Sequence, residues 1–106
     1  MTALPLAGFL ALSGALLAVG IFGLLTRRNF ILILIAVEVA MNATILNFVY
    51  FAAFAPSGGA GLSGQAIAVI LIGFAATEVA VGLAIVLALN RLKGTINVAQ
   101  ATELKQ

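Results

Sequence analysis

Three apolar runs, at 4–25, 30–54 and 66–89, occupy most of the chain. The shortest has about 22 residues, and as a helix rising 1.5 Å per residue it reaches about 33 Å, enough to cross a hydrocarbon core of about 30 Å. Composition agrees, since 64% of the 106 residues are hydrophobic and only 8% are charged, against roughly 25% charged in a soluble domain. The expected architecture is an all-α integral membrane protein, a single membrane domain over 1–106 with three transmembrane helices and a polar tail at 90–106.

The first run has no base before it and Arg27 and Arg28 after it. That is the reverse of a secretory signal peptide, and the run is longer than the apolar core of such a signal. It is therefore read as a helix that stays in the membrane. Pro5 suits the first turn, where the amide it lacks would have had no partner. Ala11, Gly14, Ala15 and Ala18 recur at spacings of three and four, a small-residue stripe expected to admit a neighbouring helix. Between the second and third runs, APSGGAGLSGQ carries Pro56, Gly58, Gly59, Gly61 and Gly64 and reads as an uncharged, flexible turn. So short a turn makes the second and third helices antiparallel neighbours.

The bases set the expected orientation. Arg27 and Arg28 lie in the first connection and Arg91, Lys93 and Lys105 in the tail, while the N-terminus and the glycine-rich turn carry none. Basic segments stay in the cytoplasm, so the N-terminus is expected outside and the C-terminus inside. The net charge of +2 is accounted for by these flanking bases and gives no indication of nucleic acid. As a cytoplasmic basic pair, Arg27 and Arg28 serve topology and can also bind membrane lipid headgroups or a neighbouring subunit.

Two of the three acids, Glu38 and Glu78, sit inside apolar runs; the third is Glu103 in the tail. An ionised side chain at the centre of a membrane helix costs about 2.5 to 3.5 kcal/mol on insertion scales, so such acids mark functional sites by default. Glu38 is nine residues past Asn29, roughly 14 Å along the helix. Glu78 is thirteen before Arg91, roughly 19 Å from the same end, which puts both near the midplane. Asn42 shares the helical face of Glu38, four residues on, and Asn47 is expected to extend that polar path. Thr77 adjoins Glu78, and Gly73, Ala75, Ala76, Ala80 and Gly82 keep its surroundings small.

An acid in that position can hold a proton and give it up. With no Cys and no His, the chain has no thiolate chemistry, no Cys/His zinc site, no cysteine-ligated cluster and no histidine-ligated haem. No phosphate-binding loop is present either. Proton carriage or charge relay by Glu38 and Glu78 is what remains, beside the plainer reading of each acid as a neutral hydrogen-bonding strut. No residue is read as a redox-catalytic, cofactor-binding or metal-binding one.

The segments GLLTRRNFILILIAVEVAMNA at 23–43 and GQAIAVILIGFAATEVAVGLA at 64–84 resemble the two signature helices of subunit K of respiratory complex I, the NADH-quinone oxidoreductase family. The matching elements are Arg27-Arg28-Asn29, Glu38, Asn42-Ala43, Gly64-Gln65, Ala75-Ala76, Glu78 and Gly82-Leu83-Ala84. The tail NVAQATELKQ resembles the family's ending, with Ala99 where an acidic residue is expected. The resemblance implies a subunit of the membrane arm, between a J-type subunit and an N-type antiporter-like subunit, in a bacterial inner membrane or an equivalent organellar one. It assigns Glu38 and Glu78 to a midplane chain of charged groups that links quinone reduction to proton pumping. FMN, the iron–sulfur clusters and the quinone would belong to partner subunits, with no cofactor held by this chain.

Two other classes are weighed against it. The C-type subunit of a multisubunit cation/proton antiporter has similar size, but is not expected to pair two midplane glutamates with an Arg-Arg-Asn start. A small multidrug exporter would need four helices and an acid in the first, where this chain has no ionisable residue. Co-purification with flavin, iron–sulfur and quinone-site subunits separates these readings.

The orientation is open to direct test by cysteine labelling, because the chain has no cysteine of its own. Ser57→Cys should react with an impermeant thiol reagent added from outside, and Thr102→Cys should not. The opposite pattern would reverse the topology.

Overall fold

A computed structural model of the protein describes residues 5–54 and 60–101. It contains α1 (Leu6–Thr26), α2 (Phe30–Ala53), α3 (Ala60–Lys93) and the short α4 (Val98–Ala101). The first three are long and apolar enough to cross a membrane. Among the described residues there is no strand, only an isolated antiparallel bridge between Asn29 and Asn97.

Local chemistry explains the ends of α1 and α2. Pro5 stands just before α1, and its carbonyl accepts from the N–H groups of Gly8 and Phe9 at 2.9 and 3.2 Å. Asn29 caps α2, its Oδ1 accepting from the N–H groups of Ile31 at 2.9 Å and Leu32 at 3.4 Å. An Asn side chain at this position satisfies donors that a helix start leaves orphaned.

α3 departs furthest from the sequence expectation of 66–89. It spans 34 residues, Ala60–Lys93, about 51 Å, so residues 60–65 are helical rather than part of a flexible turn. Glycine disfavours a helix interior, but Gly64 lies where α3 meets α2, and a Cβ on it would stand 2.7 Å from the Cβ of Ala52. The contact requires a residue without a side chain, and packing overrides propensity. At its other end α3 continues through Arg91 and Lys93 in its last turn, where cations oppose the negative end of the helix dipole. Of the predicted glycine-rich turn, 55–59 lies outside the described residues, as do 1–4 and the tail residues 102–106.

α2 is the central helix and packs against both neighbours. Gly23 meets Ala36 and Phe9 stacks on Tyr50, so α1 runs antiparallel to α2. Gly82 meets Leu34 and Gly64 meets Ala52, so α3 does the same. The buried positions are mainly small, Ala36, Ala43, Ala52, Ala68 and Ala75 with Ile45, Val86 and Ser13. Large side chains point outward, with Phe22 63% and Phe74 61% exposed. A soluble protein would be arranged the other way round. In lipid, apolar tails solvate large apolar groups as well as another helix does, so close approach of small residues governs association.

The small-residue stripe of α1 meets no helix of its own chain among the described residues. The stripe Ala11, Gly14, Ala15 and Ala18 is exposed, and nothing lies within 4 Å of a Cβ built on Gly14. The contact face carries Ser13, Gly20 and Gly23 instead. Both sets have helical spacing, but only Gly20 and Gly23 oppose the backbone of α2 at Ala36 and Ala40.

A Cβ on Gly20 would meet the Cβ and N of Ala40 at 2.8 Å and the carbonyl oxygen of Ala36 at 2.9 Å. Backbone atoms cannot give way as a flexible side chain can. Gly20→Ala should therefore destabilise the α1–α2 pair by roughly 1 to 3 kcal/mol, read as a lower midpoint of thermal unfolding in detergent. Gly14→Ala, with open space around it, should leave that midpoint where it is.

Candidate functional site

The antiparallel seam between α2 and α3 sets where the two acids stand. Leu34 faces Gly82 and Ala52 faces Gly64, so α2 and α3 keep one register over their length. Glu38 follows Leu34 by one helical turn, and Glu78 precedes Gly82 by the same step. The two acids therefore branch from their helices at about one height.

They do not share one flank of the seam. A four-residue step up α2 and a four-residue step down α3 each turn the side chain about 40° from the line of contact, and in antiparallel helices these turns lead to opposite flanks. Glu78 is exposed and lines an apolar groove with Phe74, Thr77, Val81, Gly82 and Ile85. That groove shares Gly82 and Ile85 with the next one, whose α2 wall is Phe30, Ile33, Leu34 and Val37. Glu38 is not in that wall. It is half-buried on the other flank, and its Oε1 is buried with no hydrogen-bond partner among the described residues.

The supporting polar residues act differently from the sequence expectation. The Thr77 hydroxyl donates to the carbonyl of Gly73 at 2.9 Å, so its proton is committed to its own helix and not to Glu78. Asn42 is exposed, and no hydrogen bond joins it to Glu38 among the described residues. Asn47 does not extend the path of Glu38. Nine residues amount to two and a half turns, which puts it on the opposite face of α2. There it lies between buried Ala43 and Tyr50, the ring that stacks on Phe9 of α1 at 4.3 Å. Its Oδ1 is buried without a partner among the described residues.

Arg27 and Arg28 are both exposed at the end of the bundle where α1 passes into α2. The Arg27 N–H closes α1 on the carbonyl of Gly23 at 3.0 Å, and the Arg28 carbonyl accepts from the N–H of Val98 at 2.7 Å. The first connection and the tail thus meet at one end. Sequence reading placed them on one side without foreseeing that contact. Its only local signal is an asparagine ahead of an apolar residue in both RRNF and TINV.

Among the described residues no ion pair reaches either acid, and no group of three or more His, Cys, Asp or Glu forms a metal cluster. A buried carboxyl oxygen without a donor is costly. What the arrangement can do chemically is hold a proton on a neutral acid, or accept a donor or cation from outside the chain. Each acid would do so from its own flank.

A family model described as NADH-ubiquinone/plastoquinone oxidoreductase chain 4L matches residues 8–106. Among curated relatives, the protein named NADH-quinone oxidoreductase subunit K of Geobacillus sp. (strain WCH70) is 38% identical over 105 residues, 99% of each chain. The subunit K of Azotobacter vinelandii is 41% identical over 105 residues, again 99% of each chain. That of Anaeromyxobacter sp. (strain K) is 41% identical over 103 residues, 97% of this chain and all of the relative.

The two flanks can be told apart in the isolated chain in lipid. A nitroxide attached through Glu78→Cys should collide with dissolved oxygen more often than one attached through Glu38→Cys. Equal collision rates would contradict the half-burial of position 38.

Proposed function

The chain belongs to the NADH-ubiquinone/plastoquinone oxidoreductase chain 4L family, and on that basis we propose that Glu38 and Glu78 form a charge relay coupling quinone reduction to proton pumping. As a member it is a multi-pass membrane subunit of an NADH-quinone oxidoreductase, and the other subunits of that enzyme are its partners. The finer reading gives this chain no redox centre. FMN, the iron–sulfur clusters and the quinone are assigned to partner subunits, J-type and N-type antiporter-like subunits are its neighbours, and the bacterial inner membrane is its location. The N-terminus faces outward and Arg27 and Arg28 face the cytoplasm, tuning the first connection or anchoring it to lipid.

The observation that carries the relay is the Glu38 Oε1, buried with no partner among the described residues, on a residue level with Glu78. A strut would be expected to grip a neighbouring helix of its own chain. A half-buried acid that grips nothing described in its own chain suits transfer between subunits, where a donor or cation from the next subunit, or a water, completes the carboxyl. Glu78 reaches the opposite flank at the same level, so a charge change on one side is felt on the other across a seam of alanine and glycine in low dielectric. The antiporter-subunit reading has no such support, because the matched family and relatives bear the oxidoreductase name.

Glu38→Gln keeps size and hydrogen bonding and removes the titratable charge. In vesicles, with assembly checked on the same preparation, it should cut membrane-potential formation sharply and slow the coupled part of donor-driven quinone reduction. Glu78→Gln should be milder, since its carboxyl already stands exposed on the chain. Members of one relay are not additive, so the double variant should cost little more than Glu38→Gln alone. Full pumping by an assembled Glu38→Gln complex would reduce Glu38 to a strut.

A further inference from the structure

Among the described residues, the backbone hydrogen bonds that join segments remote in sequence occur in one place. The Phe30 N–H donates to the Ile96 carbonyl at 2.9 Å, and the Val98 N–H donates to the Arg28 carbonyl at 2.7 Å. Between them Asn29 faces Asn97. The arrangement is reciprocal. Asn29 caps α2, while the Asn97 Oδ1 accepts from the N–H of Ala99 at 2.9 Å in α4. Each asparagine is preceded by a carbonyl that accepts the first N–H of the other's helix. The leading donors of α2 are all satisfied in this way, Ile31 and Leu32 by the Asn29 side chain, Ile33 by the Asn29 carbonyl at 2.9 Å, and Phe30 by the tail. Gly94, at φ +65°, makes the return possible by turning the chain back at the end of α3, with its N–H donating to the Asn90 carbonyl at 2.7 Å.

We propose that residues 94–98 are a positioning clasp, in which Ile96 and Val98 fix the start of α2 against the end of α3 and so hold Glu38 level with Glu78; this rests on the relay reading of the two acids. Along the seam, contact is apolar against apolar, Leu34 on Gly82 and Ala52 on Gly64. Such contacts hold the helices by close packing, without directional bonds. The clasp adds directional bonds that exist in one register only. Glu38 lies eight residues beyond Phe30 on one continuous helix, so a displacement at the clasp is carried to it. A slip of one residue lifts a side chain about 1.5 Å and swings it about 100°. That is enough to break the level pairing and turn the acid off its flank.

Val98→Pro tests the clasp with little collateral change. Proline suits the first position of a helix, so α4 is retained while the N–H given to Arg28 is lost. The chain has no native cysteine, and Leu34→Cys with Gly82→Cys reports the register as an intrachain disulfide in the assembled enzyme. Val98→Pro should lower the yield of that disulfide several-fold and lower the membrane potential formed per quinone reduced, with quinone reduction itself continuing. Unchanged cross-linking and unchanged coupling would overturn the proposal. So would a displaced register with intact coupling in a complex where Glu38→Gln abolishes pumping. If instead Glu38→Gln pumps normally, the relay reading fails, while the cross-link still reports whether the clasp sets the register.

A second variant covers failure of Val98→Pro to assemble. Asn29 and Asn97 form the non-hydrogen-bonded kind of antiparallel pair, with Cα atoms about 4.5 Å apart, within the disulfide range of about 4.4 to 6.8 Å. Asn29→Cys with Asn97→Cys removes both caps and lets oxidation close the clasp. Coupling should be higher in the oxidised enzyme than in the reduced one, and equal coupling in the two states, with the disulfide formed, would overturn the proposal.

Discussion

Close approach of helix backbones is the constraint on which this structure depends. In lipid no hydrophobic force drives one apolar helix onto another, so association relies on dense contact between small groups and on directional bonds. The chain meets that requirement with glycine at the crossings. Gly20 and Gly23 bring α1 onto Ala36 and Ala40, and Gly64 and Gly82 bring α3 onto Ala52 and Leu34. At one end of the bundle the stack of Phe9 on Tyr50, with Phe54 4.7 Å from Tyr50, adds aromatic contact. At the other, the reciprocal asparagine clasp adds hydrogen bonds.

The placement of the acids follows from that packing. Because small residues fill the seam, α2 and α3 come close and share one register, and because the helices are antiparallel, acids one turn from the same contact diverge to opposite flanks. Glu38 and Glu78 are thus held level and apart. Neither meets a cation of its own chain among the described residues, an expensive state that a donor or cation from outside the chain would relieve. The outward-facing Phe22, Leu25 and Phe74 fit the same picture of a chain finished by its surroundings.

The sequence by itself determined three helices, since run lengths of membrane-spanning size admit little else, and it singled out the two acids proposed to act as a relay, since an acid in an apolar run is conspicuous whatever it packs against. It also placed the first connection and the tail at one end, because an odd number of crossings leaves no other arrangement. Tertiary structure decided the rest. Gly64 reads locally as a turn residue, yet it lies within α3, where Ala52 occupies the space a side chain would need. Two small-residue sets on α1 look alike by spacing, and only the position of α2 selects Gly20 and Gly23 over Ala11 and Gly14. Asn47 turns to α1, half a turn from Glu38, and its surroundings depend on where α1 lies. The clasp joins residues almost seventy apart in the chain, Asn29 and Asn97. Spacing along one helix is a local quantity, whereas register, flank and cross-chain hydrogen bonds are relations between helices, and these exist only once the helices have packed.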